Sequence, residues 1–276
     1  MSNVTFVPVL TTPAGQVLTA ANWRDAGVNI ASFYLESLLI KPGKDYLQTL
    51  QSVKTFSGWH GDVVLNASLP ACNRHGRYLL RSPYDGSKVT CTLDEVLTLC
   101  MQLQPEHLIL PKTVRLDAMP VFPDNTCPYI PIEIYPENIP SQTHGIYLSS
   151  ADSVALFFAR RDALHALPLY ISGEYDRETM QTLSASGALY FETDKPASDA
   201  LVGKVYCHDD VLILNDTVFA TQFEVLDAQC NCSTCTQKLT RAYLHHLLKH
   251  TPLLCQRFLM EHNAFISQKL ARFMTV

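Results

Sequence analysis

The run Cys230-Asn231-Cys232-Ser233-Thr234-Cys235 places three thiols within six residues. Clustered thiols in a chain with no signs of secretion point to metal rather than to disulfides. Zinc takes four nitrogen or sulfur ligands in a tetrahedron, and a knuckle this tight supplies three of them locally. The fourth must come from further along, where His245, His246, His250 and His262 follow. Residues 237–249 have a helical apolar pattern that ends at Thr251-Pro252, and a second helix is expected to run from Leu253 to about Phe273. At about 1.5 Å per residue, His245 to His250 would ride roughly 10–20 Å away from the knuckle, whereas the returning helix brings His262 back to its level. His262 is therefore the expected fourth ligand, with His246 the alternative. A set of four protein ligands leaves no open position, which makes the expected zinc structural.

The rest of the chain must carry this site and any other chemistry. Short β-rich runs at residues 4–10, 28–34, 62–66, 107–110, 129–134, 145–148, 168–172, 188–192 and 204–207 alternate with amphipathic stretches at 19–25, 45–55, 93–104, 151–165 and 177–185. Strands separated by helical crossovers imply parallel pairing, and seven or eight of them suggest a closed barrel. Two crossovers, 111–128 and 135–144, carry Pro120, Pro123, Pro128, Pro136 and Pro140 without helical period and read as loops. Two hairpins are expected, one around Pro83-Tyr84-Asp85-Gly86 and one around Cys207-His208-Asp209-Asp210. The predicted fold is α/β: a compacted (β/α)8 barrel over residues 1–226 with a helical zinc-binding subdomain over 227–276.

Composition narrows the class. Of 276 residues, 47% are hydrophobic and 17% charged, enough apolar material for a sizeable core. No apolar run reaches the ~18 residues of a membrane span, and the first ten residues do not read as a signal peptide, so a cytoplasmic protein is expected. The net charge of −5 argues against a protein that coats nucleic acid non-specifically. Cys72, Cys91, Cys100, Cys127, Cys207 and Cys255 are scattered singly and read as reduced thiols. Trp23 and Trp59 are expected in the core.

The strings Leu226-Asp227-Ala228-Gln229-Cys230-Asn231-Cys232-Ser233-Thr234-Cys235, Thr240-Arg241-Ala242-Tyr243-Leu244-His245-His246-Leu247 and Glu261-His262-Asn263 together resemble the C-terminal zinc subdomain of tRNA-guanine transglycosylases. This chain carries one extra residue between Cys235 and Arg241. Weaker likeness extends through Phe6-Val7-Pro8-Val9, Leu38-Leu39-Ile40-Lys41-Pro42-Gly43, Arg81-Ser82-Pro83, Asp85-Gly86-Ser87-Lys88 and Pro168-Leu169-Tyr170-Ile171-Ser172-Gly173. The resemblance implies a modified (β/α)8 barrel and an exchange of guanine in tRNA through a carboxylate nucleophile. It also implies a dimer, or a heterodimer with a catalytic transglycosylase.

Residue by residue, the resemblance implies a weakened active site. The family's proton-transfer aspartate lies in a Thr-Asp-Ser-Gly-Gly-Phe-Gln stretch, and here Asn66-Ala67-Ser68-Leu69-Pro70-Ala71-Cys72 stands in its place. The proton-transfer position is thus Ala67, which cannot exchange a proton. Glu192, in Gly187-Ala188-Leu189-Tyr190-Phe191-Glu192, holds the nucleophile position, where the family has aspartate. The family's base-recognising aspartate has no match in Pro111-Lys112-Thr113. Its Gly-Gly loop appears as Ser149-Ser150, and the arginine of its Pro-Thr-Arg as Ser198. The expectation is a non-catalytic or strongly impaired tRNA- or partner-binding subunit, with an active glycosyl transferase using Glu192 as the alternative. Glu133, Glu174, Glu192 and Asp194 are candidates for an acidic rim at the barrel mouth, though solvated loop carboxylates are the simpler reading. Lys238, Arg241, Lys249, Arg257, Lys269 and Arg272 are candidates for a phosphate-contacting face, against a plain solvated helix surface. His245 and His246 are candidates for contact with RNA phosphate, against plain helix-surface histidines that need no role.

Overall fold

A computed structural model describes residues 4–135, 143–160, 164, 167–175, 177–207 and 210–273. Twelve strands lie among them in chain order: β1 (Thr5–Val7), β2 (Ile30–Tyr34), β3 (Asp62–Asn66), β4 (Arg77–Arg81), β5 (Lys88–Thr92), β6 (His107–Ile109), β7 (Cys127–Pro131), β8 (Gly145–Leu148), β9 (Leu169–Ser172), β10 (Ala188–Glu192), β11 (Lys204–Tyr206) and β12 (Val211–Ile213).

Eight of them form one parallel sheet in the order β1-β10-β9-β8-β7-β6-β3-β2. The two ends of that order meet. Ser32 donates its N–H to Pro8 O at 2.9 Å, Leu10 N–H reaches Ser32 O at 2.9 Å, and Val9 bridges Ser32. The sheet is therefore a small barrel, as the alternating pattern implied. β11 does not join it. It pairs antiparallel with β12, and the turn residues 208 and 209 of that hairpin lie outside the described residues.

Local sequence explains the helices that cover the barrel. Thr19 caps Ala20–Asp25 through a reciprocal bond pair with Asn22, and Thr92 caps Leu93–Gln102 in the same way with Glu95. The helix expected over 45–55 is instead two pieces, Lys44–Leu47 and Val53–Ser57, with Ser52 capping the second. The carbonyls freed by the break are taken up by one distant side chain: Gln102 Nε2 donates to Leu47 O, Gln48 O and Leu50 O. The crossover from β6 to β7 holds only a short 3-10 turn, Leu116–Ala118. That from β7 to β8 begins with Ile132–Ile134, and its residues 136–142 lie outside the described set. The helix expected over 151–165 is described as Ala151–Ala159. Trp23 and Trp59 are both buried.

Tyrosines fill the barrel interior. Tyr129, Tyr147 and Tyr170 are buried with Val7, Ile30, Val64 and Ile109, and Tyr190 packs against them. Tyr170 stacks on Tyr190 at 5.6 Å, and Tyr129 lies 5.4 Å from Tyr170. Packing here is tight enough to need glycine at 145, where a Cβ would sit 2.8 Å from the Tyr129 ring.

The C-terminal helices Arg241–His250 and Pro252–Phe273 pack on each other and on the barrel. Asn263 latches the long helix. Its Nδ2 donates to Pro196 O at 3.1 Å and Lys204 O at 3.0 Å, and its Oδ1 accepts from Tyr206 N at 3.0 Å. Gln268 Nε2 reaches Phe6 O at 3.0 Å on β1. Among the described residues no helix is long and apolar enough to cross a membrane.

Candidate functional site

The chain brings two sets of chemically capable side chains together. The first is at the C-terminal knuckle. Cys230, Cys232, Cys235 and His262 are all buried, and their ligand atoms lie within 4.8 Å of one another. The short helix Ser233–Thr236 fixes the knuckle: Cys232 N–H points to Cys230 Sγ and Cys235 N–H to Cys232 Sγ, each at 3.4 Å. Thr234 and Ser233 pin it to the long helix through Phe258 O at 2.7 Å and Glu261 Oε2 at 2.8 Å.

His262 is oriented for ligation. Its Nε2 lies 2.6 Å from Tyr206 O, and a carbonyl can only accept, so Nε2 carries the proton. Nδ1 is then the free acceptor, and it lies 3.3 Å from both Cys232 Sγ and Cys235 Sγ. Contacts from the Cys230 and then the Cys235 side chains hold the Cys232 thiol far below its usual range, and Cys235 keeps its proton in exchange. Three convergent sulfurs and a backbone-anchored imidazole fit a tetrahedral metal ion with a closed ligand shell. The other histidines stand apart from this cluster. His245 is buried rather than on the helix surface, with Nδ1 donating to Leu214 O at 2.7 Å. His246 stacks against His250 with ring centroids 4.4 Å apart.

The second set is at the C-terminal end of the barrel strands. Glu192, last in β10, is 0% exposed. Its Oε1 accepts from Tyr34 Oη at 3.0 Å, Asn66 Nδ2 at 3.1 Å and Ser172 Oγ at 2.7 Å, and its Oε2 accepts from Tyr170 Oη at 2.8 Å. Asn66 also reaches Tyr147 Oη at 3.2 Å. Burial pushes the Tyr34, Tyr147 and Tyr170 hydroxyls well above their usual range, and the neighbouring Glu192 charge adds to the effect. All three therefore stay protonated. Among the described residues Glu192 has no cationic partner.

Sequence reasoning named Glu192 and missed its four donors. A signal was present: Tyr34, Asn66 and Ser172 each end a barrel strand, as Glu192 does. Register pairs Tyr34 with Asn66 and Ser172 with Glu192, so they lie at one level, where barrel proteins place their chemistry.

Ala67 follows Asn66 directly, is fully buried, and donates its N–H to Ile109 O at 3.0 Å. Leu69 is buried beside it. Ser150 and Ser153 build the N-cap of helix Ala151–Ala159, so the Ser149-Ser150 segment serves helix initiation. Thr113 bonds the Tyr78 hydroxyl, and Ser198 turns back onto Lys195 O at 3.1 Å.

The four carboxylates do not form one rim. Glu133 pairs with Lys112 at 2.7 Å, Glu174 is exposed, and Asp194 accepts from Thr12 Oγ1 at 2.7 Å while burial raises its carboxyl above the usual range. Three of the six C-terminal basic residues are occupied. Arg241 pairs with Glu224 at 3.3 Å, Arg257 with Glu261 at 3.1 Å, and Lys269 lies over the Phe265 ring. Nothing is described of the Arg272 side chain.

Comparison with known proteins gives a consistent answer. A family model described as queuine tRNA-ribosyltransferase matches residues 152–274. A protein of that name from Gluconacetobacter diazotrophicus is 24% identical over 323 aligned positions, covering 98% of this chain and 82% of that protein. One from Prochlorococcus marinus is 22% identical, covering 100% and 87%. One from Hydrogenovibrio crunogenus is 34% identical over a shorter stretch, 38% of this chain and 28% of that protein. The family model spans the Cys3His cluster and the low-identity alignments run through the barrel, so the chain is similar to queuine tRNA-ribosyltransferases, most closely over its C-terminal part.

Proposed function

We propose that this protein is a non-catalytic or strongly impaired transglycosylase-like subunit that binds tRNA or a partner in the cytoplasm. Its C-terminal residues 227–276 would form a subdomain held by a structural zinc ion on Cys230, Cys232, Cys235 and His262. The observation that carries the reading is the state of Glu192. A nucleophilic carboxylate must present a free lone pair to a ribose carbon, whereas this one is sealed from solvent and holds four hydrogen bonds. General acid–base help is worth about 10²–10⁴-fold, and Ala67 offers none. The likeness to transglycosylases supports pairing of subunits, either as a homodimer or as a heterodimer with a catalytic transglycosylase.

The test is incorporation of labelled guanine into tRNA by the zinc-loaded protein, alone and mixed with an active transglycosylase. The expected result is no turnover alone. Turnover near that of an active enzyme, abolished by Glu192→Gln, would overturn the reading and establish Glu192 as a nucleophile. Light scattering at micromolar concentration tests the pairing: a monomer in both samples removes that part.

A further inference from the structure

The hairpin β4–β5 carries a local excess of positive charge that no acidic residue neutralises among the described residues. Residues 73–90 hold Arg74, Arg77, Arg81 and Lys88 against the single carboxylate of Asp85, in a chain whose net charge is −5. Asp85 is consumed by its own turn. It accepts from Ser87 N–H at 3.1 Å and Ser87 Oγ at 2.8 Å, and hydrogen bonds from Ser82 and Ser87 hold its carboxyl down at about 2. Glu95, the other acid near Arg77, is taken by Lys44 at 2.6 Å. Among the described residues Arg77, Arg81 and Lys88 have no ion-pair partner.

The arrangement is also costly as it stands. Tyr78 and Leu80 point into the core, so Arg77, Leu79 and Arg81 face outward. Register sets Arg81 directly opposite Lys88 on that open face, and like charges paired across strands repel. At the tip Tyr84 is 66% exposed, with Lys41 Nζ 5.1 Å from its ring centroid. The hairpin leaves the barrel after Asn66, and the Tyr78 hydroxyl ties it to Thr113 after β6. Its charges therefore stand at the same mouth as Glu192.

We propose that this hairpin face is an RNA-binding surface, on which Arg77, Arg81 and Lys88 contact backbone phosphates and Tyr84 offers its ring to an unpaired base. Phosphates relieve the Arg81–Lys88 repulsion, and an exposed aromatic beside basic groups is the arrangement that stacks single-stranded bases. The C-terminal helices offer less, because Arg241 and Arg257 are already neutralised by Glu224 and Glu261. The inference rests on the tRNA-binding reading above and locates its contact surface.

Fluorescence anisotropy with a labelled unmodified tRNA transcript, at several salt concentrations, tests it on the full zinc-loaded chain. Each lost phosphate contact lowers the log–log salt slope by about 0.7–0.9. Arg81→Glu with Lys88→Glu is expected to weaken binding at least tenfold and to flatten the slope by roughly 1.4–1.8. The milder pair Arg81→Ala and Lys88→Ala gives the same direction, and thermal melting of both confirms that the fold is kept. Tyr84→Ala is expected to cost about tenfold, whereas Lys249→Glu on the C-terminal helix leaves binding unchanged. If folded hairpin variants bind like the parent while Lys249→Glu loses affinity, the surface is misplaced but tRNA binding stands. If the parent chain does not bind tRNA, the hairpin assignment falls together with the tRNA-binding part of the proposed function, and only the partner-binding part stands. If poly-glutamate displaces the tRNA at equal charge concentration, the face takes any polyanion and the assignment to RNA is overturned.

Discussion

The carbonyl oxygen of Tyr206 lies 2.6 Å from Nε2 of His262. That contact fixes the imidazole tautomer from outside the cluster, and it comes from β11, a strand that also bonds Asn263 on the next residue of the long helix. Metal-ligating histidines characteristically anchor their second nitrogen in this way. The cluster and the β11–β12 hairpin are thus one hydrogen-bonded unit, and a change in either should be felt in both.

Removing the metal should loosen this unit. Ligand sets that exist only in the folded chain turn binding energy into folding energy. Elemental analysis is expected to give about one zinc per chain. Chelation, or Cys232→Ser, should lower the melting temperature and strip hydrogen-exchange protection from both β11 and the long helix. His262→Ala should lose the metal and His246→Ala should keep it; the opposite pattern would reverse the ligand choice.

Asn263→Ala separates the latch from the ligands. The side chain is fully buried and satisfies Pro196 O, Lys204 O and Tyr206 N. Its loss leaves one buried and two half-buried backbone groups unpaired, for an expected destabilisation of about 2–3 kcal/mol in urea unfolding. Zinc content should stay at parent level, since no ligand atom is touched.

How far this architecture was readable depends on the range of the interaction. The eight barrel strands were visible because each is a short apolar run set off by a helix or a loop. The helix-less crossover after β6 was visible because prolines remove helical hydrogen bonds locally. The break between Lys44–Leu47 and Val53–Ser57 was not, because the group that satisfies it, Gln102, lies 54 residues from Gln48. Glu192 was identifiable from family likeness, yet its sealed state was not: Tyr34 and Asn66 lie 158 and 126 residues away. The pairing of Arg241 and Arg257 with Glu224 and Glu261 depends on which helix face meets which loop, and that too emerges only on folding.

Acid sensitivity should concentrate on His107. It is buried beneath the tyrosine layer, with Nδ1 3.4 Å from Tyr129 Oη and its ring 5.1 Å from Tyr190. Burial lowers its pKa to about 4, with Asp62 and Glu106 pulling it upward and His144 downward. The unfolded chain therefore binds this proton more readily than the folded one. Its stabilising contribution is whole above about pH 6.5 and is lost as pH falls from there toward about 4, a span worth about 3 kcal/mol. His107→Phe should show a smaller fall in urea midpoint between pH 7 and pH 5 than the parent. An identical fall in both would remove His107 from the account.

Restoring the missing carboxylate should not restore chemistry. Ala67 is fully buried, its N–H is committed to Ile109 O, and Leu69 fills space beside it. An aspartate there would place a second carboxylate next to Asn66, whose amide is already shared between Glu192 and Tyr147. With no cation paired to Glu192 or Asn66 among the described residues, the new charge is unpaired in a low-dielectric site. Ala67→Asp is therefore expected to destabilise the fold by about 3–5 kcal/mol and to give no guanine incorporation. The measurement is urea unfolding alongside the labelled-guanine assay. A variant that stays as stable as the parent and gains turnover would mean that the barrel mouth opens to substrate, and that Ala67 alone had silenced it.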